Sequence, residues 1–236
     1  MNQRNPILVA LDLATAAEAV AMARSLAGEV GGFKIGSELF TSAGPDVVRQ
    51  IRSTGASVFL DLKFHDIPNT VAKAVVAATR LDVQMMTVHT SGGRAMMEAA
   101  EKAAKATAES LGKRPPLILG VTVLTSLDSN ELSEIGLQAN VGHQVERLAK
   151  LAVAAGLRGL VCSPLEIAGL RQLIPPEVAL VTPGIRNASD KVDDQKRTLT
   201  AREAMAAGAD WLVIGRPICA AKDPAEAARS ITQSLR

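Results

Sequence analysis

Between Val58 and Thr70 the chain reads Val58-Phe59-Leu60-Asp61-Leu62-Lys63-Phe64-His65-Asp66-Ile67-Pro68-Asn69-Thr70, an apolar run that ends in an acid, a base and a second acid. If the run is a strand, its side chains alternate between two faces, so Asp61 and Lys63 point the same way. A buried strand excludes ionised groups unless they are paired. A carboxylate beside an ammonium keeps the ammonium charged and aimed. Such a pair can stabilise negative charge on a substrate and deliver a proton to it. A structural ion pair at a strand end would need only Asp61 and Lys63. With Asp66, Pro68 and Thr70 following at once, the string is far more specific.

Other residues with chemical potential stand at the ends of similar apolar runs. Asp12 closes the first run, and the next helix already has its own cap in Thr15. Lys34 lies within Phe33-Lys34-Ile35-Gly36, where packing gives no reason for a lysine. Thr125, Arg186 and the pair Gly215-Arg216 follow later runs. Glycine lets backbone N–H groups approach an anion, and arginine offers a fork matched to phosphate oxygens. Gln195, in the long polar segment Pro183–Thr198, is placed to close over the same group. A connection of that length in a compact domain is often a lid. His89 reads as a polar residue closing a strand, and His65 and His143 receive no role.

The elements that must position these residues repeat along the chain. Eight β-rich runs occur, at Ile7–Asp12, Phe33–Gly36, Ser57–Lys63, Met85–His89, Leu117–Leu124, Gly159–Cys162, Ala179–Thr182 and Trp211–Gly215. Most are apolar throughout, as strands covered on both faces are. Ala-rich helical stretches separate them. Thr15-Ala16-Ala17-Glu18 and Thr200-Ala201-Arg202-Glu203 match a capping box. Ser163-Pro164-Leu165-Glu166 and Asp223-Pro224-Ala225-Glu226 join a cap to proline at the first helical position. Repeated strand–helix units predict an α/β protein, a (β/α)8 TIM barrel forming a single domain over 1–236. Periodicity alone leaves an open doubly wound sheet as the alternative. In a barrel the strand ends converge on one face, which would bring Asp12, Lys34, Asp61, Lys63, Thr125, Arg186, Gly215 and Arg216 together.

Composition narrows the function. Apolar residues at 47% suffice for a core, and charged residues at 21% argue against disorder. A net charge of +2, with four Phe, one Trp and no Tyr, gives neither an electrostatic footprint nor stacking platforms for nucleic acid. No apolar run approaches the ~20 residues of a membrane span, and the first residues lack the apolar core of a signal peptide. A cytoplasmic protein is expected, with Cys162 and Cys219 as buried thiols. Neither a His-Glu-x-x-His pattern nor a Cys/His cluster is present, so no metal site is expected. The phosphate-binding Walker motif and an early dinucleotide glycine motif are absent too.

On Asp61-Leu62-Lys63-Phe64-His65-Asp66-Ile67-Pro68-Asn69-Thr70 above all, the sequence resembles the orotidine 5'-phosphate decarboxylase family in its bacterial form. Supporting matches are Ala10-Leu11-Asp12, Lys34-Ile35-Gly36, Val123-Leu124-Thr125-Ser126, Thr182-Pro183-Gly184-Ile185-Arg186, Asp194-Gln195 and Val213-Ile214-Gly215-Arg216, and the likeness spans Ile7 to Arg216. The resemblance implies decarboxylation of orotidine 5'-monophosphate to UMP without metal or organic cofactor. It implies that Lys63 protonates C6 of the product and that Asp61 lies beside the departing carboxylate. Asp12 and Lys34 would contact the ribose and complete the charged set. Asp66 and Thr70 would be donated across a homodimer interface. Thr125, and less surely Ser126, would contact the pyrimidine. Arg186, Gln195, Gly215 and Arg216 would bind the rest of the nucleotide, Gln195 and Arg216 at the phosphate. Two rivals share parts of the pattern. A magnesium-dependent sugar-phosphate decarboxylase or aldolase of the same superfamily would carry a glutamate where this chain has Lys34. A non-catalytic barrel that senses a phosphorylated metabolite would be expected to have lost members of the charged set.

Overall fold

The computed structural model describes residues 5–186 and 198–235. Eight strands run in parallel: β1 Ile7–Ala10, β2 Gly32–Gly36, β3 Val58–Phe64, β4 Met85–His89, β5 Leu117–Val121, β6 Gly159–Val161, β7 Ala179–Thr182 and β8 Trp211–Ile214. Each pairs with the next, and β8 returns to β1. Closure rules out the open doubly wound sheet and establishes the (β/α)8 barrel.

Alternation along the strands divides the buried side chains into two cores. Leu8, Ala10, Phe59, Met85, Leu119, Val181, Trp211 and Val213 form a small cluster inside the barrel. Their neighbours on the opposite faces, among them Ile7, Val9, Phe33, Ile35, Leu60, Met86, Ile118 and Leu212, pack with the helices in a larger outer core. Both faces of the sheet are therefore dry, which is why the strands read as apolar runs rather than as polar–apolar alternation.

The predicted helix starts are present. Thr15 with Glu18 and Thr200 with Glu203 form reciprocal capping boxes, and Asp223 accepts the Glu226 N–H at 2.9 Å. The Ser163 box opens a single 3-10 turn, Pro164–Glu166, that leads into the helix Ile167–Leu173. Two further caps are passed over in the sequence reading, although the first has the same cap-x-x-Glu spacing. Asp128 with Glu131 starts the short helix Ser129–Glu134, and Asn140 starts Val141–Ala154. Several strands also end before their apolar runs do. β1 stops at Ala10 and β5 at Val121, although the N–H groups of Leu11 and Thr122 still donate to the Lys34 and Val161 carbonyls at the rim. After β5, the Leu127 N–H closes a turn onto the Leu124 carbonyl at 3.0 Å.

One departure from regular pairing bears on the site. Leu60 pairs with Met86, whereas Phe64 pairs with Val88. Four steps along β3 thus match two along β4, and the surplus residues bulge between Asp61 and Lys63. Lys63 itself takes φ of 50°, in the left-handed region that non-glycine residues rarely adopt. The shared orientation of Asp61 and Lys63 is therefore made by a bulge, in place of the simple pleating that alternation predicts.

Candidate active site

At the carboxyl rim the strand ends surround a cavity of about 250 Å³. Its lining includes Asp12, Lys34, Asp61, Lys63, Thr125, Arg186, Gly215 and Arg216. All eight stand out in the sequence, and barrel closure brings them together. Ala10, Phe59, Val161 and Val213 of the inner core line the cavity, together with the buried Val121.

Four of these side chains form one alternating chain of charge. Lys34 Nζ donates to Asp12 Oδ1 at 3.0 Å and lies 3.9 Å from Asp61 Oδ2. Lys63 Nζ donates to the same Asp61 oxygen at 2.9 Å. Asp61 is 9% exposed, so its charge is sheltered from water and compensated by two ammonium groups. The Lys63 side chain, at 35% exposure, reaches into the cavity mouth. Gly36 leaves room for this arrangement: a Cβ there would come within 3.0 Å of Lys34 Nζ and 3.5 Å of Asp12 Oδ1.

Around the array the strand ends hold further polar groups. Gly215 follows β8 and precedes the short helix Arg216–Cys219. Arg186 is fixed by its backbone, whose N–H donates to the Leu199 carbonyl at 3.1 Å while Ile185 and Leu199 form a parallel bridge. The bridge ties together the two ends of the segment after β7. Gln195 and Asp194 lie outside the described residues.

Asp66 and Thr70 do not reach this cavity within one chain. The run from His65 to Thr70 is exposed throughout, Ile67 reaches 67% exposure, and the Asp66 carboxylate accepts the Ile67 N–H at 2.6 Å. Ser126 lies outside the lining as well.

Two titratable groups nearby are displaced from their ordinary values. His89 lies against His65 with ring centroids 5.5 Å apart. Burial lowers its pKa first, and the charges of His65 and Lys63 lower it further against the opposing pull of Asp61. These influences disfavour the charged imidazolium form of His89. Burial, with a smaller contribution from Asp12, pushes the Cys219 thiol up to about 11, and its Sγ donates to the Ala10 carbonyl at 3.4 Å. Cys162 lies buried beside the cavity. The raised value disfavours a Cys219 thiolate nucleophile.

A residue missed in the sequence is Thr87 of β4. It is wholly buried, donates from Oγ1 to Asp61 Oδ1 at 3.0 Å and accepts the Lys63 backbone N–H at 2.8 Å. Its sequence signal is a hydroxyl two residues after Met85, on the strand face that elsewhere carries aliphatic or aromatic groups.

Fold and site together define a class: a closed (β/α)8 barrel with a cavity at the carboxyl rim lined by charged side chains. The Orotidine 5'-phosphate decarboxylase / HUMPS family model matches residues 5–231. An orotidine 5'-phosphate decarboxylase of Paramagnetospirillum magneticum is 52% identical over 98% of this chain and 98% of its own. That of Syntrophotalea carbinolica is 50% identical over 98% of this chain and 95% of its own. Among solved structures, orotidine 5'-phosphate decarboxylase from Lactobacillus acidophilus superposes with a TM-score of 0.88 at 36% identity, covering 98% of this chain and 99% of that one. The chain belongs to the orotidine 5'-phosphate decarboxylase / HUMPS family.

Proposed function

We propose that this enzyme is a carboxy-lyase that decarboxylates orotidine 5'-monophosphate to UMP, the closing step of pyrimidine nucleotide synthesis. Relatives at about half identity over nearly their whole length carry that activity in their names. The observation that carries the reading is the array itself, an ammonium at the cavity mouth held by a sheltered carboxylate, which a second ammonium also compensates.

The chemistry explains why such an array is needed. Loss of CO2 leaves an electron pair at C6 in the plane of the ring, orthogonal to the π system. The pyrimidine therefore has no delocalised form to offer it. A cation placed beside C6 stabilises the pair in a water-poor cavity and can then supply the proton. Lys63 is that cation and acid. Asp61 orients Lys63 through their 2.9 Å contact. Lys34 and Asp12 extend the array toward the ribose. Thr125 contacts the pyrimidine, while Arg186, Gly215, Arg216 and Gln195 hold the remainder of the nucleotide, with Arg216 and Gln195 on the phosphate. Binding of this remote group can be used at the reacting carbon.

Asp66 and Thr70 complete the site of a second copy in a homodimer. Support comes from their position on an exposed run next to β3, away from their own cavity, with Ile67 laid open between them. In the competing magnesium chemistry a carboxylate would be required near the end of β2. Here Lys34 holds that place, its ammonium 3.0 Å from Asp12.

Loss of the orotate absorbance on incubation with orotidine 5'-monophosphate tests the activity directly. Turnover should be equal with and without EDTA. No turnover would reject the assignment, and turnover abolished by EDTA and restored by magnesium would favour the rival chemistry.

A further inference from the structure

We infer that Thr87 is a positioning residue for the reaction, the side chain that locks the bulged end of β3 so that Lys63 and Asp61 face the cavity as a unit. The inference rests on the assignment of Lys63 and Asp61 to the chemistry. It adds a residue that the site's own charges do not explain.

Pairing between β3 and β4 slips just where the charged residues stand. Thr87 lies on β4 between the residues paired on either side of the slip, and its Oγ1 takes the Lys63 N–H at 2.8 Å, in place of a strand carbonyl. A hydroxyl has one proton, and an amide N–H can only donate. The Thr87 proton must therefore point elsewhere, and Asp61 Oδ1 accepts it at 3.0 Å. The other Asp61 oxygen receives Lys63 Nζ at 2.9 Å. A closed circuit results, from the backbone of Lys63 through Thr87 and Asp61 to the ammonium of the same Lys63.

The circuit has a mechanical meaning. Lys63 sits at φ of 50°, a strained conformation that persists only when its surroundings over-determine it. Thr87 supplies that determination from a fully buried position. Asp61 is held by hydrogen bonds on both oxygens, so its geometry is set before substrate arrives.

Thr87→Val keeps the shape of the side chain and removes both hydrogen bonds. In the purified full-length enzyme it should lower kcat by about 100-fold, the expected cost of misplacing a reacting group by ~1 Å, while KM for the nucleotide changes little. Thr87→Ser restores a hydroxyl at the same place and should return kcat to near the original. A merely structural threonine would show a lowered melting temperature in Thr87→Val with kcat of the folded enzyme intact, and that result overturns the inference. Equal losses in the serine and valine variants also overturn it. If Thr87→Val fails to fold, Thr87→Ala introduces no extra bulk and should show the same loss of kcat, and an intact kcat there overturns the inference equally. Lys63→Ala run alongside separates the two assignments. An active Lys63→Ala enzyme removes the underlying one, whereas an inactive one beside a fully active Thr87→Val removes only the role of Thr87.

Discussion

Lys63 is asked to supply both the cation that shelters the carbanion and the proton that quenches it. Lys63→Ala should therefore cost more than about 10³-fold in turnover, beyond the loss typical of a single electrostatic donor. Circular dichroism and melting temperature should hold, since the side chain is one-third exposed. Retention of more than a few percent of turnover would take Lys63 out of the mechanism. His89 gives a different prediction at the same scale. Its folded pKa is lowered from the ordinary 6.5, so below that value the unfolded chain binds a proton that the folded chain resists. Its contribution to stability should be complete above about pH 6.5 and fall as the pH drops beneath it. Denaturant titrations of His89→Gln should show a flatter acid limb, and an unchanged limb would assign the loss to other groups. At this scale the sequence was most legible where charge interrupted an apolar run. Lys34, Asp61 and Lys63 stood out because burial makes their presence costly, and the exposed Asp12 because it closes an apolar run. Thr87 did not, because a threonine suits a strand whether or not its hydroxyl has a task.

The elements were readable for a related reason. A strand covered on both faces must be apolar, and a helix start must satisfy its free N–H groups, so both leave marks in composition. The β3 bulge left none, since register is decided between strands and not within one. Pairs between elements are equally hidden. Glu101, on the helix Arg94–Ser110, is 4% exposed and accepts Arg158 Nε at 2.9 Å and Lys105 Nζ at 3.2 Å on one oxygen. Its other oxygen is buried without a hydrogen-bond partner among the described residues. Arg158 also donates to the Pro116 carbonyl at 3.1 Å, joining the starts of β5 and β6 to that helix. Arg158→Ala should destabilise the fold by about 2 kcal/mol, less than the ~3–5 of a wholly buried pair because Arg158 is partly exposed. Chemical denaturation measures this, and kcat should be unaffected because the site lies at the opposite end of the barrel.

For the whole molecule, closure was the property that periodicity left open, and only the return of β8 to β1 decides it. The same limit applies to assembly. Asp66 and Thr70 lie outside the cavity of their own chain, and the homodimer proposed above predicts that they complete a second copy's site. Mixing inactive Lys63→Ala and Asp66→Ala chains should restore part of the activity, because hybrid dimers contain one intact site. No recovery, with subunit exchange demonstrated by mass spectrometry, would place Asp66 outside the site.

The alternation of Asp12, Lys34, Asp61 and Lys63 has an electrical corollary: two positive and two negative groups cancel, and the quartet projects little field beyond its own contacts. Arg186 and Arg216 line the same cavity, and the phosphate-side role proposed for them predicts that they help draw a highly anionic ligand from solution. Ions in the medium screen such attraction over about 10 Å at 0.1 M, but scarcely act inside a closed contact. Raising the salt concentration should thus increase KM and leave kcat nearly constant. Arg216→Ala should blunt that response, dividing the work of capture from the work of bond breaking.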